Sequence, residues 1–311
     1  MTDFLIGSGH LEVGDGHTIY WEEWGAPDGV PVVCLHGGPG AGFNDTHKAL
    51  FDPAKHRVLF HDQRGCGRST PTGSLDHNTS AELVADIDAL MTHRGWTDAH
   101  VAGGSWGSTL SLLFAIAHPD RVRGLLLWSV YLMRSQDEDW VALGGPRPHF
   151  PEEWETFIGP VPADRRSSGR EITLWYAERI RSADPAEAER YARAWITWEL
   201  TLCSLDYDAR SVAHAVATDE NTLACAIIET HFIGNGGFIP ENHIIDSIGT
   251  IRHLPCRVVQ GRFDMCTPPY EAYDLARAYG ENLDLLIVSA GHLRTEPALK
   301  AGLQAVINGL A

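Results

Sequence analysis

Short, nearly continuous apolar runs ending in glycine-rich turns recur along this chain: "VPVVCLHG", "HRVLFHDQRG", "AHVAGG", "VRGLLLWSV", "CRVVQGRFD" and "LDLLIVSAGH". Strands buried on both faces of a parallel sheet need such runs, because neither face meets water. Helical patterns lie between them: "SAELVADIDALMTHRG", "STLSLLFAIAHP", "PPYEAYDLARAYG" and "PALKAGLQAVINGL". In the first, Leu83, Ile87 and Leu90 recur at helical spacing, and Ser80, Glu82 and Asp86 suit its N-terminal side. Strand alternating with helix predicts an α/β fold with a mostly parallel central sheet flanked by helices. Ahead of it, "HLEVGDGHTIYWEEWG" alternates apolar and polar residues about a "GDG" turn, as a hairpin does.

The alternation stops between Arg134 and Gly249, a stretch rich in Trp, Glu and Arg that carries helix-period patterns such as "DPAEAERYARAWITWELTLCSL". It resumes at "LPCRVV". The expected organisation is a sheet domain of residues 1–133 and 250–311 with a mainly helical cap, residues 134–249, inserted before the strand that leads to Asp264. Such an insertion sits at the C-terminal edge of the sheet, where open α/β sheets place their ligands.

Charge narrows the partners. With 24 Lys and Arg against 41 Asp and Glu, the 311-residue chain carries a formal net charge of -17 and should repel phosphate backbones and anionic lipid headgroups. Nucleic acid and membrane surfaces are therefore not expected partners. The stretch "MTDFLIGSGHLEVGDG" has neither a basic n-region nor a long apolar core, and a cytoplasmic location is expected. Cys34, Cys66, Cys203, Cys225, Cys256 and Cys266 form no CxxC pair and read as buried thiols rather than a disulfide framework.

"VAGGSWGSTLS" holds the motif that carries chemistry. Gly103, Ser105 and Gly107 form G-x-S-x-G between an expected strand and an expected helix, the context in which this motif presents a nucleophile on a sharp turn. A phosphate loop would need a lysine that is not there. Serine at neutral pH needs a base, an acid to orient it and a trap for the developing oxyanion. Asp264 ends "CRVVQGRFD" and His292 ends "SAGH", both at the sheet edge expected for Ser105 and in the chain order Ser, Asp, His that accompanies such a turn. "HGGPG", residues 36–40, follows the strand from which one oxyanion donor comes; Gly38 is the expected donor, with Gly37 beside it, and the N–H of Trp106 is the other. Asp62 and Arg64 read as turn stabilisers. No HExxH, Cys/His cluster in sequence or dinucleotide fingerprint occurs, so neither metal nor organic cofactor is implied.

The chain resembles the proline iminopeptidases, serine peptidases of the α/β-hydrolase fold, through "HGGPG", "DQRGCGRS", "GGSWGSTL", "FPEEWETF", "AWITWE", "IIETHFIGNGGF", "GRFDMCTP" and "AGH", which span nearly its whole length. The resemblance implies release of N-terminal proline from small peptides. It also implies that Glu199 and Glu229, in the cap, bind the free imino group, a cation that must be paired when taken out of water. Trp195, Trp198 and Phe232 would wall the proline ring, although aromatics at helical spacing also serve as plain core. The chain departs from the family at Trp128 and Ser129, where an Arg-Gly pair is common, and at Thr230 and Phe232, which bears on pocket shape. An esterase or amidase with another small acyl group, and a catalytically silent binding protein, are the alternatives.

Overall fold

The computed structural model describes residues 4–310. The strands are β1 (Leu5–Gly14), β2 (His17–Gly25), β3 (Val30–Leu35), β4 (His56–His61), β5 (Ala99–Ser105), β6 (Val122–Val130), β7 (Cys256–Gly261) and β8 (Leu283–Val288). The helices of the sheet domain are α1 (Asp45–Lys48), α2 (Ser80–His93), α3 (Trp106–Ala117), α11 (Pro269–Tyr279) and α12 (Pro297–Ile307). The inserted segment contributes α4 (Ser135–Ala142), α5 (Pro151–Ile158), α6 (Gly169–Ile180), α7 (Pro185–Cys203), α8 (Ala209–Thr218), α9 (Thr222–Gly234) and α10 (His243–Ser247).

All strands join one sheet in the order β1-β2-β4-β3-β5-β6-β7-β8. β2 pairs antiparallel with β1 and β4, and every pairing from β4 to β8 is parallel. The β1–β2 turn carries Asp15 at φ 52° and Gly16 at φ 78°, the two positive values a tight hairpin of this hand demands.

Apolar continuity of the strand sequences follows from burial on both sides. Val33, Val101, Leu125, Leu127 and Val258 enter the core on one face, with α2, α3 and α11. Their neighbours Cys34, Ala102, Leu126, Trp128 and Val259 enter the core on the other, with α12. Neighbouring side chains on a strand point to opposite faces, so polar alternation would have left one core wet.

No strand interrupts the segment from 134 to 249 among the described residues. Its own core, which includes Trp154, Phe157, Trp175, Tyr176, Trp195 and Trp198, runs from Ala142 to Ala226. Past that point Phe232, Ile244 and Ile248 join the sheet-side core with α3. From Phe232 onward the inserted segment packs on the sheet-side core as well as on its own helices. None of the described helices is long and apolar enough to cross a membrane.

Candidate active site

Ser105 closes β5 at φ 56°, ψ -131°, a conformation that L residues rarely adopt, and α3 starts at the next residue. The glycines around the serine tolerate no side chain: a Cβ on Gly103 would lie 2.2 Å from the Gly107 carbonyl oxygen, one on Gly104 1.9 Å from the Trp128 indole nitrogen, and one on Gly107 2.4 Å from the Leu35 carbonyl oxygen. The strained turn lifts the serine out at the C-terminal edge of the sheet.

Asp264 follows β7 and His292 follows β8, at the same edge. His292 Nδ1 lies 2.9 Å from Asp264 Oδ2 and 3.1 Å from Oδ1, with both side chains buried. Asp264 is held in turn by the backbone N–H of Cys266 (3.0 Å) and of Thr267 (2.8 Å) and by the Thr267 hydroxyl (3.0 Å). The main chain of His292 is pinned at both ends: its N–H donates to Cys203 O at 2.9 Å, and its carbonyl accepts from the Ser129 hydroxyl at 2.9 Å. Burial pulls the imidazole pKa down, but Asp264, Cys203 and Glu199 outweigh it and raise the pKa to about 10. Ser105, His292, Gly37 and Gly38 line one cavity.

A residue not singled out from the sequence ties the loop after β3 to the start of α3. Gln63, in "DQRG", donates from its side chain to His36 O (2.9 Å) and from its backbone to His36 Nε2 (3.0 Å), and accepts from the Trp106 indole (2.9 Å). The loop after β3 is thereby bracketed against the first residue of α3. Burial lowers the His36 pKa and keeps the ring neutral, which suits an Nε2 that accepts. Asp62 and Arg64 are turn stabilisers, as expected: Asp62 accepts from the N–H of Phe43 and of Arg68, and Arg64 pairs with Asp86 at 2.7 Å.

Glu199 on α7 and Glu229 on α9 line a second cavity with Ser105, Gly38, Trp195 and Trp198. The two cavities meet at Ser105, Gly38 and Glu199, which belong to both. Burial, then the charge of Glu199, pushes Glu229 well above the usual carboxyl range, and one of its oxygens has no hydrogen-bond partner. Burial raises Glu199 as well. Two facing carboxyls out of bulk water cannot both ionise cheaply, so the pair favours a shared proton or an incoming cation.

Trp195 and Trp198 are both wall and core. They line the cavity while packing on Phe157 at 5.9 and 5.4 Å between ring centroids. Phe232 differs from expectation: it is fully buried behind the elbow, 4.9 Å from the Trp106 ring, and does not line the cavity. Glu229 already turns its face of α9 to the cavity, and position 232 faces the sheet-side core instead. The Thr230 hydroxyl is spent on Ala226 O, within its own helix. A third carboxyl, Glu138 on α4, was not expected. It lines the same cavity 3 % exposed, neither oxygen is hydrogen-bonded, and Arg170 is 3.8 Å away. Burial pushes it up to about 8.

The architecture and the serine at its elbow define an α/β hydrolase, and the sequence pattern of that fold family matches residues 30–294. A curated proline iminopeptidase of Neisseria gonorrhoeae is 41 % identical over 94 % of this chain and 92 % of its own length. One from Arabidopsis thaliana is 41 % identical over 95 % of this chain and 77 % of its own. This chain belongs to the proline iminopeptidase family. Solved structures share the fold at lower identity: an Exiguobacterium antarcticum esterase has a TM-score of 0.68 at 15 % identity, covering 98 % of this chain and 99 % of its own. A Mycobacterium smegmatis proline iminopeptidase has 0.62 at 21 %, covering 98 % and 97 %.

Proposed function

We propose that this chain is a serine aminopeptidase that releases N-terminal proline from small peptides. The observation that carries the reading is a single cavity that brings Ser105 together with two carboxyls from the inserted helices, half-buried Glu199 and buried Glu229. A neutral acyl group gives such a pair nothing to bind, whereas a protonated imino nitrogen offsets the cost of its burial.

In this mechanism Ser105 Oγ attacks the proline carbonyl carbon while His292 Nε2 takes its proton, and Asp264 holds the imidazolium through Nδ1. The N–H groups of Gly38 and Trp106 receive the oxyanion. Collapse breaks the peptide C–N bond, His292 protonates the departing amine, and a prolyl ester remains on Ser105. Water, deprotonated by His292, then attacks that ester and frees proline. Residues 134–249 act as the cap that carries specificity, and 1–133 with 250–311 as the catalytic domain. Six unpaired cysteines suit a reducing compartment such as the cytoplasm.

The test compares a prolyl arylamide with a nitrophenyl ester in wild type, Ser105→Ala, Glu199→Gln and Glu229→Gln. Ser105→Ala should abolish both activities. Each Glu→Gln change should lower kcat/KM on the arylamide by about 100-fold, as expected for a charge-assisted pair worth ~2–3 kcal/mol, and leave the ester nearly unchanged. Equal loss on both substrates would sink the aminopeptidase reading in favour of an esterase.

A further inference from the structure

We propose that Cys203, Cys266 and His292 form a binding site for a thiophilic divalent cation, with zinc as the type, and that occupation of this site switches the serine centre off. The binding half stands on geometry alone. The inhibitory half rests on the reading of His292 as the base.

The three residues come from different parts of the molecule. Cys203 is the last residue of α7, Cys266 lies on the loop after β7, and His292 follows β8. One sulfur from each cysteine and one ring nitrogen of His292 all lie within 4.8 Å of one another. Tetrahedral zinc, with Zn–S of about 2.3 Å and Zn–N of about 2.0–2.1 Å, sets its ligand atoms roughly 3.5–3.8 Å apart. A contraction of about 1.3 Å or less therefore suffices, within reach of rotamer adjustment. The backbone is already fixed for it by the His292 N–H bond to Cys203 O and the Cys266 N–H bond to Asp264.

Two thiols and an imidazole select zinc or cadmium over magnesium or calcium, which take oxygen ligands. Three protein ligands leave a fourth position open, and Glu199 lines the adjoining cavity. Each thiol that ligates does so as thiolate and gives its proton to solvent; no oxidant is consumed. Because Asp264 engages Nδ1, the lone pair open to the metal is that of Nε2, the one needed to deprotonate Ser105. Metal and nucleophile therefore compete for one nitrogen.

The experiment uses the full chain without added thiol and without air. Micromolar zinc chloride should inhibit prolyl arylamide hydrolysis, EDTA should restore it, and magnesium should do nothing. Cys203→Ser keeps the backbone carbonyl to which His292 N–H donates, and its zinc inhibition is read as a fraction of its own metal-free rate. It should weaken zinc inhibition by about tenfold or more, given that even groups hydrogen-bonded to a metal ligand are worth ~10–100-fold in affinity. Cobalt(II) added to wild type should give a thiolate-to-metal charge-transfer band that falls by half or more in Cys203→Ser and Cys203→Ala, which retain only the Cys266 thiolate; this arm needs no substrate and survives a wrong substrate assignment. Equal zinc sensitivity of wild type and both variants, absence of the cobalt band, or inactivation that needs air and reverses with a reductant rather than a chelator would each overturn the proposal.

Discussion

Asp264, Cys203 and Glu199 hold a proton on His292 up to about 10, although burial alone pulls the other way. In the mechanism proposed above His292 is the base and must be neutral to act, so labelling of Ser105 by a neutral fluorophosphonate should rise with pH along an alkaline limb. Glu199→Gln removes a negative charge that favours the imidazolium, and should move that limb to lower pH. An unmoved midpoint would show that Glu199 does not reach the base electrostatically. Binding of a cationic imino group would neutralise the same charge and release the base when substrate arrives. Glu138 supplies a separate prediction. Its pKa is raised by burial from the ordinary 4.5 to about 8, so the folded state is penalised progressively as pH rises from about 4.5 to 8. Glu138→Gln should therefore leave thermal stability at or below pH 4 unchanged and raise it at pH 8.5 by about 2–4 kcal/mol, read as a Tm difference. A gain that does not vary with pH would rule out ionisation as its source.

At the level of elements, Gln63 shows how a loop of unremarkable sequence acquires a role. Gln63→Leu strips the His36 carbonyl and the Trp106 indole of buried partners, at about 1–3 kcal/mol each. The loop of Gly38 and the start of α3 would then lose their common brace, and kcat on a prolyl arylamide should fall by about 10- to 100-fold. KM should change little, because α7 and α9 are untouched. A lower Tm with unchanged kcat would make Gln63 structural only. The strands, the elbow and the chain positions of Asp264 and His292 were legible because they rest on local rules: apolar runs, glycine contacts and strand-end loops. Gln63 and Glu138 were not, since "DQRG" reads as a turn and "SQDEDW" as a solvated helix face, and tertiary packing alone buries them. Phe232 was assigned to the wall because helical spacing from Glu229 does not say which neighbour each side of α9 meets.

Across the whole molecule, the helical insertion and the sheet domain meet where α7 ends, and one carboxylate bridges them. Glu296 accepts from Leu205 N–H at 2.9 Å through Oε1 and from Gly291 N–H at 2.6 Å through Oε2, next to the bond between His292 N–H and Cys203 O. The tip of the insertion and the loop carrying His292 are thus held by a single side chain outside the cavities. Glu296→Ala removes both bonds and should cost about 1–3 kcal/mol, since the freed Gly291 N–H is partly buried. It should speed proteolysis within residues 204–208 and lower both kcat and the rate of fluorophosphonate labelling by loosening His292. Glu296→Gln retains one acceptor oxygen where the carboxylate has two, and should fall between wild type and Glu296→Ala on each measure. Wild-type labelling and protease resistance in Glu296→Ala would mean that the Cys203–His292 backbone bond is enough to hold the end of α7 against the His292 loop. Faster proteolysis with unchanged labelling would separate the stability of the tip from the placement of the base.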